Sequence, residues 1–323
     1  MRAAAYARYG PPRVLRIVEA PKPAPKQDEL LVKVYAATVN RTDLGFLRGE
    51  PRFVRLFSGL GKPRKRILGN EFAGRVEAIG THVETFAVGD RVFGYSGVNF
   101  GSQAEYLTVG ETGLVAVMPR GMTFEQAAPS TEGAHYALNL IRAAGIEAGQ
   151  DVLVNGATGA IGSAAVQLLK NAGARVTAVC DTAHVDLVKS LGADTVIDYT
   201  TEDFTRTGDV FDVVVDAVGK STFGRCKRLL KPHGIYLSSD LGPRGENPVL
   251  ALTTKVSGKQ RVMFPIPRDK REDVIFLKHL MAEGKFRPIV DRTYPLKQIV
   301  DAYEYVETGM KVGNVVIRVE RER

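Results

Sequence analysis

The sequence is poor in cysteine and has no long run of apolar residues. Only Cys180 and Cys226 occur among its 323 residues, so a disulfide framework is not indicated and a reducing cytoplasm is the expected compartment. No stretch approaches the ~18 uninterrupted apolar residues of a spanning helix. The N-terminal residues include Arg2 and Arg8 instead of the apolar core of a signal peptide. A membrane partner is therefore not expected.

The chain is basic, with a formal net charge of +8, but much of the excess lies in one short stretch. Few aromatic residues that could stack on nucleobases occur there, so a nucleic-acid partner is not expected. A solvated basic loop, or a rim that attracts an anionic cofactor, explains the charge better. The residues concerned are Arg52, Arg55, Lys62, Arg64, Lys65 and Arg66.

The pattern of apolar residues changes along the chain. The first ~120 residues read as short strands separated by turn residues, which predicts a compact β domain. From Asp151 strands and helices alternate, as in a parallel sheet with crossover helices. The tail around Val315–Ile317 is expected to return to the first domain. Strands are predicted in the second part at Asp151–Asn155, Arg175–Cys180, Thr195–Tyr199, Phe211–Val218, Gly234–Ser239 and Gln260–Pro265.

A glycine-rich loop connects the first of these parallel strands to a helix. Glycines let a pyrophosphate approach the backbone, and the helix N-terminus supplies N–H donors and a favourable dipole. A glycine trio alone is weak evidence, but its place inside a run of βαβ units indicates dinucleotide binding. The residues expected to contact the cofactor are Gly156, Thr158, Gly159, Ala160, Ile161 and Gly162.

The next strand ends at an acidic residue, Asp181. An acid at this point would bind the ribose hydroxyls of the adenosine and repel a 2′-phosphate, which favours NADH over NADPH. The alternative is that Asp181 caps the helix that follows. No lysine or arginine follows closely enough to hold a 2′-phosphate, although His184 could help.

Seven further motifs occur in order along the chain: Val39–Asp43, Leu68–Gly74, Val88–Gly94, Ala104–Tyr106, Leu191–Asp194, Val196–Tyr199 and Gly313–Ile317. With the glycine loop, they resemble the medium-chain dehydrogenase/reductase superfamily, and specifically its zinc-free quinone oxidoreductase branch. The resemblance spans nearly the whole chain. It implies an α/β fold with a Rossmann doubly wound parallel sheet, which we expect over residues 125–267. It also implies a GroES-like β-barrel domain, expected over 1–124 and 268–323, and an active-site cleft where the two meet.

The zinc-binding relatives coordinate their catalytic metal with Cys, His and Cys, and this sequence departs from that pattern. It has Asn40, Asn70 and Thr131 at the matching positions, and these are poor zinc ligands, so no metal is expected. A quinone or enone needs no Lewis acid if hydrogen-bond donors hold its oxygen. The resemblance implies Asn40 and Thr42 as those donors, with Asp43 orienting them.

The resemblance suggests further residues at the active site. His135 replaces a threonine at the nicotinamide end, where it could bond the carboxamide, donate a proton or simply be a core residue. Glu71 and Glu132 are acids near the cleft, which could hold donors in place or pair with arginine. The remaining cofactor contacts implied by the resemblance are Tyr199, Ser238, Phe264, Ile266 and Asn314.

The function expected from these features is transfer of hydride from NAD(P)H to a quinone or an α,β-unsaturated carbonyl compound. Asp181 favours NADH, whereas the resemblance favours NADPH. A zinc-independent alcohol dehydrogenase, an enoyl-thioester reductase and a non-catalytic dinucleotide- or RNA-binding regulator are the alternatives. A short-chain dehydrogenase is rejected, because no tyrosine is followed four residues later by lysine. The resemblance also implies a homodimer, which we expect to be joined through the strand near Gln260–Pro265.

Overall fold

The computed structural model describes residues 1–256 and 259–320. The chain folds as two compact units. Unit 1 comprises Met1–Glu132 and Asp269–Arg323, and unit 2 comprises Gly133–Arg268; residues 321–323 are outside the described part. No helix in the described ranges is long and apolar enough to cross a membrane.

Fifteen strands occur in the described residues. They are β1 (Arg2–Ala5), β2 (Arg16–Glu19), β3 (Glu29–Val39), β4 (Glu71–Ile79), β5 (Arg91–Tyr95), β6 (Tyr106–Gly110), β7 (Val115–Val117), β8 (Asp151–Asn155), β9 (Arg175–Cys180), β10 (Thr195–Asp198), β11 (Phe211–Asp216), β12 (Leu230–Ser238), β13 (Arg261–Met263), β14 (Val290–Pro295) and β15 (Asn314–Arg318).

Ten α-helices occur in the same residues. They are α1 (Arg41–Arg48), α2 (Val54–Ser58), α3 (Phe124–Ala127), α4 (Glu132–Ala144), α5 (Ala160–Asn171), α6 (Val185–Ser190), α7 (Phe223–Cys226), α8 (Glu246–Thr253), α9 (Arg271–Ala282) and α10 (Ile299–Glu307). Short 3-10 turns connect many of these elements.

Unit 1 is built around a seven-stranded sheet with the order β14-β15-β3-β4-β5-β7, in which β6 also pairs with β3. Strand β3 is long enough to pair antiparallel with β4, β6 and β15. Its apolar residues, such as Val32 and Val34, are fully buried and pack with Phe72 and Tyr303 in one core. Burying each such side chain contributes roughly 1.5–3 kcal/mol. The sheet thus fixes both ends of β3, including the turn into α1 that carries the candidate site.

The tail strand β15 lies inside the sheet of unit 1 and not at its edge. It pairs in parallel with β14 and antiparallel with β3. Val315, Val316 and Ile317 are fully buried. The predicted return of the tail to the first domain is confirmed.

Unit 2 contains a six-stranded parallel sheet with the order β10-β9-β8-β11-β12-β13. The central strands are continuous apolar runs because both faces of the sheet are covered. Val152, Leu153, Val154 and Val214 are almost completely buried. Since the strands are parallel, their carboxyl ends lie at one edge of the sheet, where ligands bind in doubly wound folds.

The predicted strands of unit 2 agree with the structure at β8 and β9 and differ slightly elsewhere. Strand β11 ends at Asp216, two residues before the predicted Val218, because the Asp216 carboxylate accepts the backbone N–H of Gly219 and turns the chain. Strand β12 begins at Leu230 and not Gly234. The left-handed His233 (φ 65°) lies inside it, at a bend that hides the strand from the hydrophobic pattern.

Candidate active site

Glu71 is the centre of a buried hydrogen-bond cluster in unit 1. Its Oε2 accepts hydrogen bonds from Thr38 Oγ1 at 2.9 Å and Asn40 Nδ2 at 2.8 Å. Its Oε1 accepts from the N–H of Thr131 at 2.9 Å, the hydroxyl of Thr131 at 2.9 Å and the N–H of Glu132 at 2.6 Å. These five donors satisfy a buried carboxylate, which would otherwise be costly. Glu71 thereby joins β3, β4 and the start of α4.

Glu132 is the second carboxyl group of the cluster and begins helix α4. Its Oε1 is bonded to the hydroxyl of Thr42, with an O–O distance of 2.5 Å. Its Oε2 accepts a hydrogen bond from Asn40 Nδ2. Glu132 is buried, whereas Thr42 is partly exposed on the first turn of α1. Thr42 is therefore the end of this chain of bonds that a small molecule can reach.

Asp43 connects the start of α1 to the loop before β4. Its carboxyl oxygens accept the backbone N–H of Asn40 at 2.8 Å and that of Gly69 at 2.9 Å. Gly69 has a φ of +83°, and a Cβ there would stand 2.4 Å from Ser102 Oγ. Only glycine fits this loop. Asp43 thus positions Asn40 on one side and the Gly69–Asn70 segment on the other.

Burial raises the pKa of two carboxyl groups of this cluster, those of Glu132 and Asp43. Burial and the charges of Glu71 and Asp43 raise the pKa of Glu132 to about 8. Burial raises the pKa of Asp43 to about 7, against the lowering effect of its two backbone donors. Burial also lowers the pKa of Lys311 to about 8, although Glu132 and Glu71 oppose this shift. Burial therefore favours the protonated form of Glu132.

The structure brings together three of the four predicted catalytic residues. Asn40, Thr42 and Asp43 are in one hydrogen-bond network. However, the Asn40 amide already donates to Glu71 and Glu132, and the Thr42 hydroxyl already donates to Glu132. His135 belongs to unit 2, on α4, where it is buried and its backbone carbonyl accepts from Asn139 Nδ2 at 2.9 Å. The sequence did not show that Glu71 is the centre of the network.

Gln103 and Tyr303 support Thr38, and no sequence motif indicates this contact. Gln103 Nε2 donates to the backbone carbonyl of Thr38 at 2.9 Å, and Gln103 Oε1 accepts from the hydroxyl of Tyr303 at 2.9 Å. Tyr303 is fully buried, which raises its pKa well above the usual value. The hydroxyl therefore stays a donor and fixes the Gln103 amide.

The glycine loop of unit 2 follows β8, as predicted. A Cβ on Gly162 would lie 2.0 Å from the Gly156 carbonyl oxygen, and one on Gly156 would lie 2.3 Å from Val218. Packing therefore requires both of these glycines. Gly159 differs, because a Cβ there would meet nothing nearer than 3.6 Å. Gly159 begins α5 without a side-chain cap, so the loop fits a pyrophosphate group that approaches at Gly159.

Asp181 and Tyr199 follow β9 and β10 at the same edge of the sheet. The Asp181 carboxylate lies 2.5 Å from His184 Nδ1 and makes no capping hydrogen bond to the turn that it begins. Tyr199 is 56% exposed, with its backbone N–H bonded to the Cys180 carbonyl at 3.0 Å. Both side chains are available to a ligand at the adenosine end of such a sheet.

The other predicted cofactor contacts are more dispersed. Ser238 ends β12 and is buried, with its hydroxyl accepting the N–H of Asp240 at 3.1 Å. Phe264 and Ile266 follow β13, and Ile266 is 79% exposed. Asn314 belongs to β15 of unit 1, where its Nδ2 donates to the Ile289 carbonyl at 3.0 Å.

Asp216 is an anchoring residue at the carboxyl edge of the unit 2 sheet that the sequence analysis missed. Its buried carboxylate accepts Asn155 Nδ2 at 3.0 Å, the Ser221 N–H at 3.0 Å and the Tyr236 hydroxyl at 3.0 Å. Burial and this carboxylate raise the pKa of Tyr236. Asp216 thus ties together β8, β11 and β12 beside the glycine loop.

Asn40, Asn70 and Thr131 are the residues that the family resemblance matches to zinc ligands. They offer an amide, an amide and a hydroxyl, and the Thr131 hydroxyl donates a hydrogen bond to Glu71. Within residues 1–256 and 259–320, no group of three or more His, Cys, Asp or Glu side chains is arranged to hold a metal ion.

Comparison with known proteins agrees with this fold. The alcohol dehydrogenase GroES-like domain model matches residues 26–120, and the zinc-binding dehydrogenase model matches residues 191–317. The chain is 32% identical to the 2-methylene-furan-3-one reductase of Solanum lycopersicum, over 98% of this chain and 79% of the relative. It is 31% identical to the chloroplastic NADPH-dependent alkenal/one oxidoreductase of Arabidopsis thaliana, with the same coverage.

A solved structure, the quinone oxidoreductase from Coxiella burnetii, superimposes with a TM-score of 0.87 at 28% identity and covers 99% of both chains. Together with the two units described above, these similarities define an oxidoreductase of the dinucleotide-dependent dehydrogenase class. The chain belongs to the medium-chain dehydrogenase/reductase superfamily, within its zinc-free quinone oxidoreductase-like branch.

Proposed function

We propose that this enzyme reduces quinones or α,β-unsaturated carbonyl compounds with a reduced nicotinamide dinucleotide and without zinc. The observation that carries the proposal is the hydrogen bond between the buried Glu132 carboxyl and the partly exposed Thr42 hydroxyl. An electrophilic substrate needs a donor and a proton rather than a Lewis acid. The names of the two relatives and of the solved structure support this substrate class.

Unit 2 is proposed as the dinucleotide-binding domain and unit 1 as the catalytic domain. The Gly156–Gly162 loop and the start of α5 would hold the pyrophosphate, and Asp181 and Tyr199 the adenosine. A bound reduced nicotinamide supplies the hydride. Every other chemical requirement then falls on the side chains of the protein.

In this proposal Glu132 is the proton source and Thr42 is the group that passes the proton on. When Glu132 is protonated, its carboxyl group can donate the 2.5 Å hydrogen bond to the hydroxyl oxygen of Thr42. Thr42 then donates its own proton outward, to a substrate on which negative charge develops. Asn40 and Asp43 act as positioning residues, because their bonds hold Glu132 and the start of α1 in place.

A zinc-independent alcohol dehydrogenase is the second candidate. The same Thr42–Glu132 bond favours it, since in the reverse direction the pair would remove a proton from an alcohol. Burial raises the pKa of the Glu132 carboxyl and so favours its protonated form, which suits the reductive direction better.

NADH is the cofactor that we propose as preferred. The Asp181 carboxylate makes no capping hydrogen bond to the turn Thr182–His184 that follows it. Within that turn, its basic neighbour is His184. A carboxylate at the end of this strand repels a 2′-phosphate. The NADPH named in the Arabidopsis relative is the contrary indication.

We also propose that the enzyme is a cytoplasmic homodimer. Strand β13 (Arg261–Met263) forms one edge of the unit 2 sheet, and its unpaired side could join a second copy. The mass of the purified protein in solution, measured by light scattering, checks the homodimer.

The test of the function is oxidation of NADH or NADPH by naphthoquinone and by cyclohexenone, with a metal chelator present. Turnover that the chelator does not affect is the expected result. Saturable dinucleotide binding without turnover of any quinone or enone would contradict the proposal. Reduction of dinucleotide by simple alcohols instead would favour the second candidate.

A further inference from the structure

Asn70 is a fully buried amide in unit 1 that has no hydrogen-bonding partner among the residues the structure describes. Its side chain is 0% exposed, and both Nδ2 and Oδ1 lack a bond of acceptable geometry. Leaving a buried polar group unpaired costs about 1–3 kcal/mol. Most buried polar groups in native proteins are paired, so an exception calls for an explanation.

The backbone around Asn70 is firmly held, so the orphaned amide is not a sign of a loose loop. The N–H of Gly69 donates to Asp43 Oδ1 at 2.9 Å. The carbonyl of Asn70 accepts from the N–H of Ser96 at 2.6 Å and from its hydroxyl at 3.2 Å. Glu71, the next residue, is the centre of the carboxylate cluster. Asn70 is therefore fixed on both sides.

The amide of Asn70 lies beside the cluster that contains Glu132. It is close enough to the Glu132 carboxyl group to favour its charged form, although it does not make a well-directed hydrogen bond to it. The other polar side chains of the cluster donate to carboxyl oxygens: Thr38 and Thr131 donate to Glu71, Thr42 to Glu132, and Asn40 to both. Among the described residues, the Asn70 amide is the donor of this cluster that makes no hydrogen bond of normal distance and angle.

We propose that Asn70 Nδ2 binds the carbonyl oxygen of the substrate and stabilises the negative charge that develops there. The inference rests on the proposed function and names a catalytic residue for it. The hydride that a bound reduced nicotinamide would supply adds to the electron-poor carbon, and the π electrons move to the oxygen held by Asn70. Thr42 delivers the proton, which Glu132 replaces. The products are the oxidised dinucleotide together with the saturated ketone or the hydroquinone, and one solvent proton restores Glu132.

This assignment changes the role expected for Asn40 and Thr42. An oxyanion donor must be preorganised and unoccupied before the substrate arrives. The Asn40 amide donates its hydrogen bonds to Glu71 and Glu132. It therefore positions the carboxyl groups of the site and offers no donor to the substrate. The free energy lost by burying Asn70 unpaired is recovered when an oxygen ligand binds.

The test is the pair of variants Asn70→Leu and Asn70→Asp, compared with the wild type and with Ser102→Ala. Removal of one oxyanion donor is expected to lower kcat by about 10²- to 10³-fold, with a smaller change in the KM for the substrate. The KM for the dinucleotide should not change. Ser102 is a matched control, because its buried hydroxyl also lacks a described partner; its variant should keep wild-type kcat.

Thermal unfolding separates this role from a structural one. Asn70→Leu removes an unpaired buried polar group, so its unfolding temperature should equal or exceed that of the wild type. A clear loss of stability in Asn70→Leu, or wild-type kcat in both variants, would overturn the assignment. Binding of cyclohexanone, a carbonyl compound that cannot accept hydride at an alkene, should weaken about tenfold or more in Asn70→Leu. This binding readout stays informative even if the wild type reduces none of the quinones or enones tested.

Discussion

At the scale of single residues, the carboxyl groups of unit 1 predict how stability depends on pH. Burial raises the pKa of Glu132 to about 8 and of Asp43 to about 7, whereas both groups titrate near ~4 in an unfolded chain. Between those values the folded protein binds more protons than the unfolded chain. The stabilisation by these protons is therefore fully present below the pKa of the unfolded chain and is lost progressively as the pH rises through the folded values of about 7 and about 8.

The variant Glu132→Gln tests this linkage. Gln can place its oxygen toward Asn40 and its NH₂ toward Thr42, as the protonated carboxyl group does, so the fold should survive. We expect the free energy of unfolding in urea to fall from about pH 5 to about pH 8 in the wild type and to fall less steeply in the variant. Glu202→Gln, which changes an exposed acid, should keep the wild-type slope. Equal slopes for Glu132→Gln and the wild type would show that Glu132 titrates normally.

Asp181 provides a second prediction at this scale. Replacing its carboxylate by a hydroxyl, in Asp181→Ser, removes the charge that would repel a 2′-phosphate. We expect the ratio of kcat/KM for NADPH to that for NADH to rise about tenfold, which is roughly 1.4 kcal/mol. Steady-state kinetics with both cofactors measures the ratio. Asp186→Ser, at an exposed acid of the following helix, should leave it unchanged, and a ratio unaltered in Asp181→Ser would mean that Asp181 does not contact the ribose.

The resemblance to the family implied Asn40, Thr42 and Asp43 as site residues, and the structure places them in one network. No local pattern in the sequence could show that Asn40 and Thr42 donate hydrogen bonds to Glu71 and Glu132. The bond from Asn40 to Glu71 spans 31 positions along the chain, and the bonds to Glu132 span 90–92. Contacts between residues far apart in the sequence determine whether a side-chain amide has a hydrogen-bond partner, as Asn40 does, or lacks one of normal geometry, as Asn70 does.

At the scale of elements, local patterns were sufficient where an element is regular. The helix expected after the glycine-rich loop is α5, Ala160–Asn171, because the glycines before it and Gly173 after it are both local signals. The predicted strand, Gly234–Ser239, begins four residues later than β12, which begins at Leu230. The residues near the start of β12 include Pro232 and His233, and His233 has left-handed backbone geometry. Irregular backbone within a strand is supported by its neighbours, and those are not visible in a local window.

The glycine loop before α5 gives the prediction at this scale. Gly162→Ala would place a methyl group 2.0 Å from the Gly156 carbonyl oxygen, whereas Gly159→Ala would find nothing within 3.6 Å. We expect Gly162→Ala to destabilise unit 2 by about 1–3 kcal/mol in urea unfolding. Gly159→Ala should keep wild-type stability but raise the Kd for NADH about tenfold or more, because its methyl group occupies the space for the pyrophosphate. Wild-type affinity in a stable Gly159→Ala protein would contradict the proposed position of the phosphates.

At the scale of the whole molecule, the order of elements in the chain differs from their order in space. The first and last segments of the sequence form unit 1, and the middle segment forms unit 2. The motif Gly313–Ile317 indicated the return of the tail, but not its depth within the sheet. The strand neighbours of β15 come from β3, at the beginning of the chain, and from β14, near its end. Pairing between such distant segments follows from the complete fold and from no local preference.

The position of β15 predicts that unit 1 cannot complete its core until the end of the chain is present. Val315, Val316 and Ile317 are fully buried, and burying three such side chains contributes roughly 5–9 kcal/mol. This is comparable to the entire stability of a typical domain, about 5–15 kcal/mol. A chain that ends at Val312 is therefore expected to lose the cooperative unfolding of unit 1 and to accumulate as aggregate, because β3 and β14 would expose unpaired edges. A chain that ends at Glu320 retains β15 and is the matched control, with wild-type unfolding. Circular dichroism and urea unfolding of the two chains test this prediction. Cooperative unfolding of unit 1 in the shorter chain would mean that its sheet forms without β15.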